Sequence, residues 1–144
     1  MILAVFSFTA CGQKKDVCSK IKTAFEQKFP TAQKVKWDKE NETEWEAEFK
    51  MSGKEYSANF TTDGKWMETE YEINKSEIPQ AVKQTLDNEF AGYDIEVAEI
   101  SETKDGKVYE FAIEKDEIDM EVAISPEGKV VKKEIKTEDE EDND

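Results

Sequence analysis

The chain has 144 residues, with 38% charged and 37% hydrophobic, enough for one domain. Its formal net charge of −15 argues against a partner held through nucleic-acid phosphates, while three Trp, four Tyr and eight Phe are too many aromatics for plain disorder. It has no His, and every basic residue is Lys, which removes Ser-His-Asp and Cys-His catalysis, His-ligated zinc and the bidentate Arg clamp.

Residues 1–11 run apolar up to Cys11, too short to span a bilayer, with small Thr9 and Ala10 directly before the cysteine. We read this as the end of a signal sequence and a lipobox, with Cys11 the lipid-bearing first residue of a mature lipoprotein. Residues 12–15 then form a polar tether. A Cys11–Cys18 disulfide is the competing reading, and both belong to the cell envelope. Cys18 falls in phase with Ile21, Phe25 and Phe29, where a thiol would act as a small apolar side chain.

Val17, Ile21, Ala24 and Phe25 place an amphipathic helix over 16–29, capped by Asp16 and stopped by Pro30. Four strands follow. The first, over 33–37, puts Val35 and Trp37 on one face. The second, over 44–51, alternates Trp45, Ala47, Phe49 and Met51 with Glu44, Glu46, Glu48 and Lys50. The third, over 55–61, points Tyr56, Ala58 and Phe60 one way. After the Asp63-Gly64 hairpin signal, a fourth over 65–73 aligns Met67, Thr69, Tyr71 and Ile73. Period-2 patterns with one charged face predict antiparallel strands wet on one side.

The order then recurs. A helix over 76–90 carries Ile78, Ala81, Val82, Leu86 and Phe90, with Ser76 as its cap and Pro79 in its first turn. Strands are expected over 95–100, 107–115, 117–125 and 129–136, and the phase change within 95–100 predicts a bulge. An offset of 64 lays 43–73 on 107–137 without a gap and matches nine apolar positions, Gly64 meeting Gly128 and Trp66 meeting Val130. The expectation is therefore α+β: two tandem repeats, 16–74 and 75–137, each one helix plus a four-stranded antiparallel sheet, packed as one body. Residues 138–144 hold six acids and no base, which predicts a disordered, solvated tail.

Phe29-Pro30, Val35-Lys36-Trp37, Glu68-Thr69-Glu70, Ile78-Pro79, Phe90-Ala91-Gly92-Tyr93 and Tyr109-Glu110, in this order and spacing, resemble the PepSY-like envelope proteins. Tandem repeats of that type are similar to the β-lactamase inhibitor protein fold. The resemblance covers roughly 16–137. It implies that fold and a non-enzymatic role, and it carries over no catalytic residue; no cofactor is expected.

Trp66 is out of phase with Met67, Tyr71 and Ile73, and in phase with Glu68, Glu70 and Glu72. It is therefore expected on the open face, where an aromatic among carboxylates can anchor a partner. With Lys65 beside the turn, Trp66, Glu68 and Glu70 make a candidate partner-binding site. Trp37 and Trp45 fall on core faces. The carboxylate rows lack the loop spacing of a Ca²⁺ site and read as a solvated face that discourages aggregation. The function expected is a non-catalytic envelope module that binds a protein or peptide. The alternative is small-ligand or divalent-cation buffering. Membrane attachment is expected through the lipid anchor only, and no nucleic-acid partner is expected.

Overall fold

The computed structural model describes residues 16–136. The signal, lipobox, Cys11, tether and acidic-tail expectations lie outside the described residues. Helix α1 (Ser19–Lys28) leads into strands β1 (Gln33–Lys39), β2 (Glu44–Met51), β3 (Lys54–Thr61) and β4 (Trp66–Glu72). A 3₁₀ turn (Lys75–Glu77) and helix α2 (Gln80–Glu89) precede β5 (Asp94–Thr103), β6 (Gly106–Lys115), β7 (Ile118–Ile124) and β8 (Val130–Lys136).

All eight strands join one antiparallel sheet in the order β1 to β8, each beside its neighbour in sequence. This corrects the expected pair of four-stranded sheets. β4 and β5 form a ladder of their own, from Glu68↔Thr103 to Glu72↔Glu99, and weld the two halves together. The reason is elementary: the inner edge of each four-stranded half would otherwise leave a row of backbone donors and acceptors unpaired.

Both helices lie on the same face of this sheet. Cross-strand partners share a face, so Ala47, Ala58 and Thr69 stand in one row, and Tyr71, Ile100, Tyr109 and Ile124 in another. The first row belongs with the core under α1, where Ile21, Phe25 and Phe29 meet Trp45, Phe49 and Phe60. The second belongs with the core under α2, where Ile78, Val82, Leu86 and Phe90 meet Phe111, Ile113, Met120 and Val122. Thr69 and Tyr71 are two apart on one strand, which puts both cores on one side. The first core is aromatic: the Phe25 ring lies 5.0 Å from Phe49 and 5.3 Å from Trp37, both edge-on. The second is mostly aliphatic.

The helix starts differ from expectation. Cys18, not Asp16, is the N-cap of α1, and no side chain caps it. Asn74 rather than Ser76 makes the capping interaction, a reciprocal one with Glu77 around the 3₁₀ turn, and Pro79 occupies the N-cap position of α2 without a side-chain cap. Asn74 competes well here because its amide and backbone N–H both reach the Glu77 carboxylate.

Special backbone positions recur 64 residues apart. Ser52-Gly53 and Asp116-Glu117 have positive φ throughout, the handedness that two-residue hairpins require. Gly64 and Gly128 end the β3–β4 and β7–β8 turns and press against the helices, a Cβ on Gly64 meeting Lys20 O at 3.3 Å and one on Gly128 meeting Ala81 O at 2.7 Å. Thr85 Oγ1 donates to Gly128 O at 2.5 Å and fixes that turn on α2. The expected bulge in β5 is present, between Ile95 and Val97.

Gly128→Ala should therefore destabilise the protein by about 2 kcal/mol more than Gly53→Ala. Both positions have positive φ, +87° and +81°, but a Cβ on Gly53 meets nothing within 4 Å. Thermal melts of the two variants check this. Equal losses would mean that the turn does not bear on α2.

Candidate functional site: the uncovered sheet face

Alternation sends the residues between the core positions to the opposite face, which no helix covers. In the sheet centre these are Glu46 on β2, Glu68, Glu70 and Glu72 on β4, Glu99 on β5 and Glu110 on β6. Glu72, Glu99 and Glu110 are direct cross-strand partners, a row of three like charges. Such pairs weaken a sheet, so the row is kept at a cost in stability. Lysines answer the carboxylates only toward the edges. Lys36 on β1 pairs in register with Glu48, and Lys132 and Lys136 on β8 reach Glu121 at 3.5 and 2.9 Å.

The electrostatics follow this layout. Burial first, and then Glu68, Glu110, Glu99 and Glu46, push the Glu70 carboxyl up to about 7. Burial and neighbouring carboxylates also raise Glu46, Glu99 and Glu110. Near the β8 edge the sign reverses, and hydrogen bonding to Lys136 holds Glu121 below its ordinary range. Ser101, fully buried at the centre of this face, donates to Glu68 and occupies one of its oxygens.

The expected site residues divide. Glu68 and Glu70 lie on the open face. Trp66 does not, and its predicted phase is corrected. β4 bulges between its pairings Glu68↔Asn59 and Trp66↔Phe60, so Met67 is the extra residue. The extra residue flips the phase: Trp66 turns beside Phe60 onto the first core, while Met67 is 39% exposed. The indole N–H donates to Thr69 Oγ1 at 2.9 Å, and Lys28 Nζ lies 3.6 Å from the ring centroid. The same bulge recurs between Ala123 and Ile124, where Val130 packs on the second core and Val131 is 53% exposed. Lys65 sits in the turn, its backbone N–H bonded to Thr61 Oγ1 at 3.1 Å, away from the carboxylate field.

Sequence reasoning missed Glu99, Glu110 and Ser101. Their strands were placed correctly, but only the register between β4, β5 and β6 shows that they meet Glu70 and Glu72. Among the described residues, no three metal-ligating side chains come together as a metal-holding group. Cys18 is disulfide-bonded rather than a free buried thiol.

Comparison with known proteins agrees with this architecture. Residues 43–132, more than half of the chain, match the family described as "Putative beta-lactamase-inhibitor-like, PepSY-like". The chain belongs to this PepSY-like family. No curated protein matches it by sequence. Among solved structures, it is similar to a BLIP-like protein from Bacteroides fragilis NCTC 9343 at a TM-score of 0.79 and 18% identity, covering 90% of this chain and 94% of that one. It is also similar to a structure from Bacteroides eggerthii DSM 20697 described as "putative periplasmic proteins", with a TM-score of 0.76 and 18% identity over 83% of this chain and 89% of that one. Likeness at this identity is a likeness of fold.

The raised carboxyls set a pH dependence. A group whose folded pKa is raised contributes stability that is complete below its unfolded pKa and is lost as pH rises through the folded value. For Glu70 that window runs from about 4.5 to about 7. Glu70→Gln removes the cost of the buried charge. Allowing for the half of the side chain that water screens, it should stabilise the protein by roughly 1 kcal/mol at pH 8, about 2–4 °C in Tm, and by little at pH 5. Melts of both proteins at the two pH values check this. Equal Tm at pH 8 would show that Glu70 ionises freely.

Proposed function

We propose that this PepSY-like protein is a non-catalytic module of the bacterial envelope that binds a protein or peptide through its uncovered sheet face. The observation that carries the reading is the in-register row Glu72–Glu99–Glu110 with Glu70 beside it, on the face that neither helix covers. Carboxylates kept together against their mutual repulsion complement a basic surface, and their field would steer it to the sheet. Trp66 is no longer part of the proposed contact, because it packs on the first core.

The family's inhibitor-like fold supports a binding role rather than chemistry. The tandem-repeat reading draws support from the 64-residue recurrence of positive-φ turns and bulges. An envelope location draws support from the B. eggerthii neighbour's description and from the oxidised state of Cys18, since disulfides persist outside the reducing cytosol. A lipid anchor on Cys11 is our reading, with a Cys11–Cys18 bridge as its alternative. The mass of the mature chain separates them: a diacylglyceryl addition would show the anchor, and its absence would favour the bridge.

The double variant Glu99→Gln/Glu110→Gln tests the binding role. In pull-downs from envelope extract it should lose proteins that the wild type captures, and 0.5 M salt should weaken the wild-type capture in the same way. A partner retained by the variant and indifferent to salt would overturn the role of this face.

A further inference from the structure

The sheet is split at one end, where its two halves meet. The β2–β3 ladder runs on to Met51↔Lys54, and the β4–β5 ladder runs on to Glu72↔Glu99, but the β3–β4 ladder between them stops at Ser57↔Glu70. Beyond that pair each strand keeps its outer neighbour and loses its inner one. The backbone direction of the lost residues follows from alternation. Ile73 donates its N–H to Ala98 O at 2.9 Å, toward β5, so Glu72 one residue earlier turns its N–H and C=O toward β3. Glu55, two residues before Ser57, turns its own toward β4. Two donors and two acceptors thus look into the split, outside the ladder.

The split lies within a cleft of about 730 Å³ that also extends over β1 and β2, with Lys34, Lys36, Glu48 and Lys50 in its lining. On the helix side it is closed by Tyr56 and Tyr71, whose ring centroids are 5.0 Å apart, and by the Lys54–Glu77 ion pair at 3.1 Å. It therefore opens toward the carboxylate face, with Glu70, Glu72 and Glu99 along its lining. Four lysines also line it: Lys50 and Lys54 are each tied to a glutamate, Glu55 and Glu77, while Lys34 and Lys36 on the β1 side act on Glu55, away from Glu70, Glu72 and Glu99. The outer edges of the sheet are poorer places for an added strand, since β8 carries Lys132, Lys133 and Lys136 and β1 is broken by a bulge and the positive-φ Lys34.

We propose that the split between β3 and β4 receives an extended basic peptide segment. Its backbone pairs with the inward-facing groups of Glu55 and Glu72, and its cationic side chains meet Glu70, Glu72 and Glu99. Strand addition takes affinity from main-chain hydrogen bonds and selectivity from the side chains on alternate positions. The inference rests on the open-face reading and names the form of the partner: an extended segment rather than a folded basic patch.

The probe is a capped seven-residue peptide of alternating Lys and Val, titrated into the full chain. Two peptides serve as comparison: the same one N-methylated on alternate amides, and the same one with Glu for Lys. The Lys-Val peptide should slow amide exchange at Glu55 and Glu72 at least tenfold, and N-methylation should weaken binding at least tenfold. If the Lys-Val peptide binds but those two amides exchange as before, or if N-methylation has no effect, the cleft inference fails while the open-face reading stands. If the Lys-Val peptide does not bind, the inference fails. If the Glu peptide binds as tightly as the Lys peptide, both readings fail.

Discussion

The structure depends on one constraint: both helices cover the same face of a single sheet. Every strand must therefore send its apolar side chains to that face, and a one-residue slip in any ladder would turn a whole strand inside out. The bulges in β4 and β8 show how tightly this is held. Each absorbs one residue, Met67 or Val131, so that Trp66 and Val130 reach the core while the later residues of the strand keep their phase. Gly64 and Gly128 serve the same end, since only a residue without Cβ lets those turns lie against the helices.

The same sidedness concentrates charge. Once the apolar residues are committed to the helix side, the alternating glutamates have one face left, and adjacent strands bring them within reach of each other. At the sheet edges lysines answer them, and near β8 they hold Glu121 below its ordinary range. In the centre no lysine faces Glu70 or Glu99, and burial adds to repulsion. A sheet built for stability alone would place lysines opposite those glutamates. On the proposed function, those uncompensated carboxylates are what a basic partner meets.

Much of this was legible in the sequence. Period-2 alternation placed all eight strands, and the stripes Ile21–Phe25–Phe29 and Ile78–Val82–Leu86–Phe90 placed both helices. The Asp63-Gly64 turn and its counterpart at Gly128 gave the recurrence, and the family resemblance held. Apart from the helix caps expected at Asp16 and Ser76, what failed depended on pairing between strands. Trp66 falls on the wrong face in the sequence reading because Trp66 and Met67 are adjacent and both apolar, so either fits the stripe, whereas the phase change within 95–100 marks its own bulge. The union of both halves into one sheet, and the meeting of Glu70 with Glu99 and Glu110, depend on the β4–β5 ladder, whose partners are separated by a helix in sequence. The split beside it is likewise a property of where a ladder ends.

The most direct measurement of the central claim is a carboxyl-carbon NMR titration of every glutamate in the full chain. Convergence of the central carboxylates on one uncovered face predicts that Glu46, Glu99 and Glu110 titrate above the ordinary glutamate range, that Glu70 does so near 7, and that Glu121 falls below it. If Glu46, Glu70, Glu99 and Glu110 all titrated together near 4.5, they would not share a crowded face, and the register from which the site is built would be wrong.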